Sequence, residues 1–215
     1  MIIFNPAISL VCAFIYSLIL SFSEFNIFYI LPVLFLMFID SKNILFVLKK
    51  FLFLNLFIFT IFIFVWIQAS FFEAINIYLR TNIIIFFNLL LFINSKGLDI
   101  IRGFSLLKFP KRFISTFYFS WKMILELQTE FRNIKTTLIT RSFHNKTNLF
   151  IYQTYGNILG LLFIKSMQKA QNLKDSFELR GFNGEIFFND NYKFDKYDFY
   201  LIFIILLTLI LRYFI

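Results

Sequence analysis

Residues 51–67 read FLFLNLFIFTIFIFVWI, seventeen positions in which only Asn55 and Thr60 are polar and none is charged. Roughly 17 to 25 such residues cross the hydrocarbon of a bilayer as a helix, so this run is a membrane span. The remaining composition agrees. The 215-residue chain is 60% hydrophobic and 15% charged, with a mean hydropathy of +0.78, which excludes a soluble core and a disordered tail alike. Thirty-six Phe against 6 Gly and 3 Pro leave too few turn residues for a barrel of short strands and favour long helices.

Working outward from Phe51–Ile67, hydropathy marks four more spans: about Ile2–Phe22, Phe25–Ile39, Ile75–Ile93 and Phe199–Ile215. The second is short. Pro32 near its start suits a first helical turn or a kink, so this segment tilts, begins earlier or forms a half-span with the first. The N-terminal MIIFNPAISL has no basic region and no small-residue cleavage site follows it, so the reading keeps it as a span rather than a signal peptide.

The formal charge of +9 is unevenly placed. Residues 96–196 hold sixteen Lys and Arg against eight Asp and Glu, and the remainder is nearly neutral. Next to membrane spans, this asymmetry reads as positive-inside topology rather than as affinity for nucleic acid. The connections at Glu24 and Glu73 carry no Lys or Arg, whereas the one with Lys42, Lys49 and Lys50 carries three. The expected arrangement is a multi-pass protein of the cell membrane with its N-terminus and residues 96–196 in the cytoplasm and its C-terminus outside, where Arg212 snorkels. Three regions follow: spans one to four in residues 1–95, a cytoplasmic coupling domain in 96–196 and a final span in 197–215. Asn148–Ile164 is apolar, but it holds Gln153, Asn157 and two glycines and leads into Lys165, so it stays with the cytoplasmic region.

That region contains a repeat. A shift of 39 residues lays RNIKTTLITRSFHN (132–145) on QNLKDSFELRGFNG (171–184), matching Asn133 to Asn172, Lys135 to Lys174, Arg141 to Arg180 and Phe143 to Phe182. Each copy ends an amphipathic helix. Phe117, Trp121, Ile124, Leu127, Phe131, Ile134 and Leu138 draw one apolar stripe, and Ile158, Leu161, Ile164, Met167, Ala170, Leu173 and Phe177 draw another. Lys122, Gln128, Arg132 and Lys135 face away from the first stripe, as do Lys165, Gln168, Lys169 and Asn172 from the second. At the helix ends, Arg141 and Arg180 precede Ser142 and Gly181. A cation there complements the macrodipole, and Gly181 is a natural residue just past a helix end. An arginine fork at both ends would equally suit two equivalent carboxylate or carbonyl pockets on a two-fold partner.

The run KAQNLKDSFELRGFNGEI (169–186) resembles the second coupling-helix signature of the T component of energy-coupling factor (ECF) transporters, especially the CbiQ branch associated with cobalt and nickel uptake. The family pattern is close to Ala-Arg-Gly, then Phe, one residue and Gly; here it reads Leu179-Arg180-Gly181-Phe182-Asn183-Gly184. Thr140-Arg141-Ser142 stands at the first motif, keeping the arginine without its small neighbours. Arg80, Pro110 and Glu130 extend the similarity, which covers about Ile75–Ile186. The resemblance implies an all-α membrane protein with about five transmembrane helices and a cytoplasmic coupling domain of two long crossing amphipathic helices. It further implies that Thr140, Arg141, Ser142, Leu179, Arg180 and Gly181 contact two ATP-binding cassette ATPases, whose movement is passed to a separate substrate-binding membrane subunit.

Catalytic chemistry is sparse. One cysteine, Cys12, and one histidine, His144, leave no disulfide, zinc or Ser-His constellation, and no G-x-x-x-x-G-K-[ST] phosphate loop is present. The expected role is therefore non-enzymatic, with no cofactor and no metal site. Glu126 and Glu130, one turn apart, read as a solvated face with Lys122 in i,i+4 register rather than as a cation site. Arg80 snorkels or pairs with Glu73, His144 is a polar exit residue, and Asp190, Asp195 and Asp198 read as a solvated loop. The expected cargo is cobalt or nickel, with biotin or another vitamin as the alternative. A membrane-anchored adaptor without transport, binding a protein or anionic lipid, is the reading from another class. Either way, the two striped helices should expose apolar patches unless partners cover them.

Overall fold

The computed structural model of the protein describes residues 4–39, 44–140, 149–188 and 194–213. It is an all-α membrane protein, and no strand occurs among the described residues. The α helices are α1 (Pro6–Ser21), α2 (Leu31–Ile39), α3 (Ile44–Gln68), α4 (Phe71–Phe92), α5 (Gly97–Leu106), α6 (Lys111–Thr140), α7 (Leu149–Leu179) and α8 (Lys196–Tyr213), and a 3-10 turn, Ile27–Ile30, leads into α2. Two compact units result. Lys108–Phe188 forms one, and the described residues on either side of it form the other.

In the larger unit, α3 and α4 are each long and apolar enough to cross a bilayer, while Pro6–Ser21 and Ile27–Ile39 are shorter apolar helices. Pro32 falls in the first turn of α2, where its missing N–H is no loss. Asn5 caps α1 by accepting from the Ala7 N–H at 3.1 Å, with Pro6 at the first helical position. Ser70 caps α4 through the Glu73 N–H, and Glu73 itself complements the helix dipole.

Apolar burial alone would not fix these helices in a lipid environment, where tails compete equally for Leu and Phe. The side chains of α4 supply the register instead. Asn76 accepts from the Phe25 N–H, Arg80 donates to the Ser23 carbonyl at 2.8 Å, and Asn88 donates to Ser17 on α1 at 3.0 Å. Asn82 accepts from Asn55 on α3 at 2.9 Å, and the Tyr78 hydroxyl also donates to Asn55. Arg80 thus braces the turn after α1, a role that neither snorkelling nor pairing with Glu73 anticipates. Around these bonds sits a core of Tyr16, Leu20, Leu36, Phe87, Leu91 and Leu201, with the Tyr16 and Phe87 rings 4.2 Å apart. Phe51–Phe86, Phe62–Tyr78 and Trp66–Phe71 ring contacts run down the antiparallel α3–α4 pair.

Two local features differ from the sequence reading. Gly97–Leu106, inside the region assigned to the cytoplasmic domain, is a helix packed on α1, and the compact units divide at Lys108 rather than at Lys96. Gly103 makes that packing possible: a Cβ there would lie 2.6 Å from Leu10 Cδ1 and 2.9 Å from the Pro6 carbonyl oxygen. The helix is short and mixes Asp99 and Arg102 with apolar residues, so hydropathy does not reveal it. The second difference is Asp198, which is wholly buried instead of lying in a solvated loop. Its carboxylate accepts from the Asn5 N–H at 3.0 Å and from the Asp195 N–H at 3.1 Å, starting α8 and joining it to the cap of α1. Asp195 is exposed as expected; Asp190 lies outside the described residues.

Candidate functional site at the ends of the two long helices

The smaller unit consists chiefly of α6 and α7. The Pro110 carbonyl accepts the first backbone bonds of α6, from Phe113 and Ile114. Asn148–Ile164, the apolar stretch kept with the cytoplasmic region, contributes the first half of α7 from Leu149 onward. The two helices meet antiparallel, the N-terminal half of α6 against the C-terminal half of α7. Phe119 packs on Phe177 with centroids 4.7 Å apart, and two to three turns further along α6 the Lys169 ammonium lies 2.7 Å from Glu126 and 3.5 Å from Glu130.

This contact corrects the expected faces. On α7, Ala170, Leu173 and Phe177 of the expected stripe do line it. On α6 it is carried by Phe119, Met123, Glu126 and Glu130, while Phe117, Ile124 and Phe131 remain exposed. Two acids give this face of α6 a polar pattern, and Lys169 belongs by its spacing to the polar face of α7. Instead, Lys169 bridges both acids from the opposite helix. Its hydrogen bond holds the Glu126 carboxyl below the usual carboxylate range, with the nearby Lys169 and Lys122 charges adding to the effect, and in return raises the Lys169 ammonium above its ordinary value.

The C-terminal end of α7 is a complete Schellman motif. The Phe182 N–H donates to the Phe177 carbonyl at 3.0 Å and the Gly181 N–H donates to the Glu178 carbonyl at 3.2 Å. Gly181 has φ +61°, a left-handed conformation that side chains resist. The hydrophobic contact that usually accompanies the motif is present as well: the Phe177 and Phe182 rings are 4.7 Å apart, and Phe119 of α6 closes the cluster. Phe177, five residues before Phe182, was readable as that partner from the motif's own spacing. Beyond the cap, Gly184 at φ +82° brings the chain back beside Ser115 and Arg112, where Glu185 pairs with Lys111 at 2.9 Å.

Of the six site residues read from sequence, Leu179, Arg180 and Gly181 stand exposed together at this capped tip, and Arg180 makes no ion pair among the described residues. Thr140 is helical, at the position equivalent to Leu179, and its hydroxyl donates to the Thr137 carbonyl. Arg141, Ser142 and the following His144 lie outside the described residues. Among the described residues, no three His, Cys, Asp or Glu side chains converge as metal ligands, and the one acid pair of the smaller unit is occupied by Lys169.

Among known families, the model for CbiQ, described as cobalt transport protein, matches residues 1–189. No curated protein matches the chain.

Proposed function

This chain belongs to the CbiQ family of cobalt transport proteins, and we propose that it is the energy-transducing scaffold, or T subunit, of an ECF-type importer. In this reading the chain crosses the membrane several times with the Lys108–Phe188 unit in the cytoplasm. Arg141 and Arg180, each with its neighbours, seat in one of two ATPase subunits, and a separate membrane subunit binds the cargo. ATP chemistry belongs to the ATPases, since this sequence lacks a phosphate-binding loop. The cargo is cobalt or nickel ion, with biotin or another vitamin as the alternative.

The observation that carries the proposal is the tip of α7. A functional arginine must be both accessible and held, and a surface arginine normally loses rotamer and backbone freedom on docking. Arg180 is exposed, while the backbone on either side of it is fixed by two cap hydrogen bonds and the Phe119–Phe177–Phe182 cluster. Little backbone ordering is then left to be lost on binding. The apolar side chains left exposed on α7, including Leu159, Phe163 and Ile164, support a role in which other subunits cover them.

The test is co-purification in detergent of the ATPase subunits with the chain carrying Arg141→Glu and Arg180→Glu. The expected result is loss of at least tenfold of the bound ATPase, with each single variant intermediate. Full retention by the double variant removes the mechanism. A smooth fall with salt that is the same for other Lys and Arg reversals would favour an adaptor held by total charge. Uptake of labelled cobalt, nickel and biotin, with and without the protein, assigns the cargo.

A further inference from the structure

The membrane unit carries an open groove between α3 and α4 of about 840 Å³, within the size range of small-molecule sites. Among the described residues its lining is apolar apart from Lys49 and Lys50, with no acidic side chain. Phe46, Leu52, Phe53 and Leu89 form most of the remaining wall. Elsewhere α3 has no charged residue from Phe51 to Gln68.

The lysines sit in the second turn of α3, where the uncharged run begins, and Leu89 lies one turn before the end of α4. This is the end of the antiparallel pair that leads to Lys96. An α3 of 25 residues exceeds the roughly 20 needed to cross the hydrocarbon, so its first turns reach the headgroup layer. Lys50 is also positioned: its Nζ lies 4.4 Å from the centroid of the Phe46 ring, one turn earlier. A site with cationic groups at headgroup depth and an apolar slot running toward the hydrocarbon is complementary to one class of molecule.

We propose that this groove binds one anionic phospholipid, its phosphate between Lys49 and Lys50 and an acyl chain along Leu52, Phe53 and Leu89. The occupant is set by charge complementarity. A zwitterionic lipid brings a cation back to the two lysines, and a free phosphate leaves the slot empty. The proposal needs only the membrane location of the larger unit and is independent of ATPase coupling.

The experiment is native mass spectrometry of the full chain, purified in detergent with whatever subunits accompany it, titrated with phosphatidylglycerol or phosphatidylcholine. One phosphatidylglycerol should be retained in preference to phosphatidylcholine. Each basic residue near a membrane surface contributes about fivefold to anionic binding, so Lys49→Gln with Lys50→Gln should weaken retention on the order of thirtyfold. Lys49→Arg with Lys50→Arg should retain it, and Lys122→Gln with Lys135→Gln on α6, which removes the same charge, should change it less than twofold. Equal binding of the two lipids, or equal effects of the two pairs of Gln substitutions, would overturn the proposal. Displacement by inorganic phosphate alone, at millimolar concentration, would overturn the acyl-chain part of it.

Discussion

The two compact units satisfy their polar groups in opposite ways. In the membrane unit, hydrogen bonds between elements distant in sequence are short and buried or half-buried: Asn55 to Asn82, Asn88 to Ser17, Arg80 to the Ser23 carbonyl, the Asn5 N–H to Asp198. In the Lys108–Phe188 unit, the helices are joined by the partly exposed ion pairs of Lys169 and by one aromatic cluster, and among its described residues only Ile114, Ser115 and Leu162 are buried. The first unit closes on itself. The second holds one end of a helix rigid and leaves long apolar faces open. A region built this way specifies a shape for something else to complete.

The contrast can be broken most severely at Asp198. Asp198→Leu strands the buried N–H of Asn5 and removes the acceptor of the partly buried Asp195 N–H, and should cost on the order of 3 kcal/mol. Melting in detergent should fall by several degrees while α7 keeps its amide protection. Unchanged melting would mean that the α1–α8 connection does not hold the bundle.

A smaller effect, confined to the other unit, is expected at Gly181. Gly181→Val places a branched side chain at φ +61° and should cost about 1–2 kcal/mol. Hydrogen exchange should accelerate in the last turn of α7 and leave α4 unaffected. Exchange rising equally in both units would show that they unfold together rather than as separate compact units.

The smallest effect belongs to Lys169. Lys169→Glu should loosen the contact between α6 and α7, and adding Glu126→Lys should partly restore it, because exposed pairs contribute little and are screened by salt. The pH dependence follows from the shifts. The lowered carboxyl of Glu126 stabilises the pair above its unfolded value of about 4.5, and that stability is lost as pH falls through the still lower folded value. The raised ammonium of Lys169 stabilises below about 10.5 and is lost as pH rises through the higher folded value. The distance between spin labels attached at positions 123 and 173 should therefore be constant between these limits and lengthen outside them. Steady change across neutral pH would assign the contact to other groups.

What could be read beforehand follows the same division. α3 and α4 were legible because length and continuous apolarity are enough to mark a span, and neither depends on knowing a neighbour. The cap of α7 was legible because Gly181 and Phe182 are local signals. Partnerships were not. Lys169 and Glu126 each looked like solvent-facing residues because a single helix shows a polar face without showing what lies opposite. Asp198, among other Asp and Asn residues, had the composition of a loop, and only the Asn5 N–H, 193 residues away, explains its burial. Gly103 likewise gave no sign that α1 passes within contact of its Cα hydrogen.

The position of Lys169 along α7 has a mechanical consequence. About 15 Å of helix separate it from Leu179 at the tip, and about 30 Å separate it from Leu149 at the other end of the described helix. Because Phe177 is also held on Phe119, α7 is fastened to α6 at two points about 12 Å apart, and the roughly 30 Å beyond Lys169 project from that clamp as a cantilever that turns with α6.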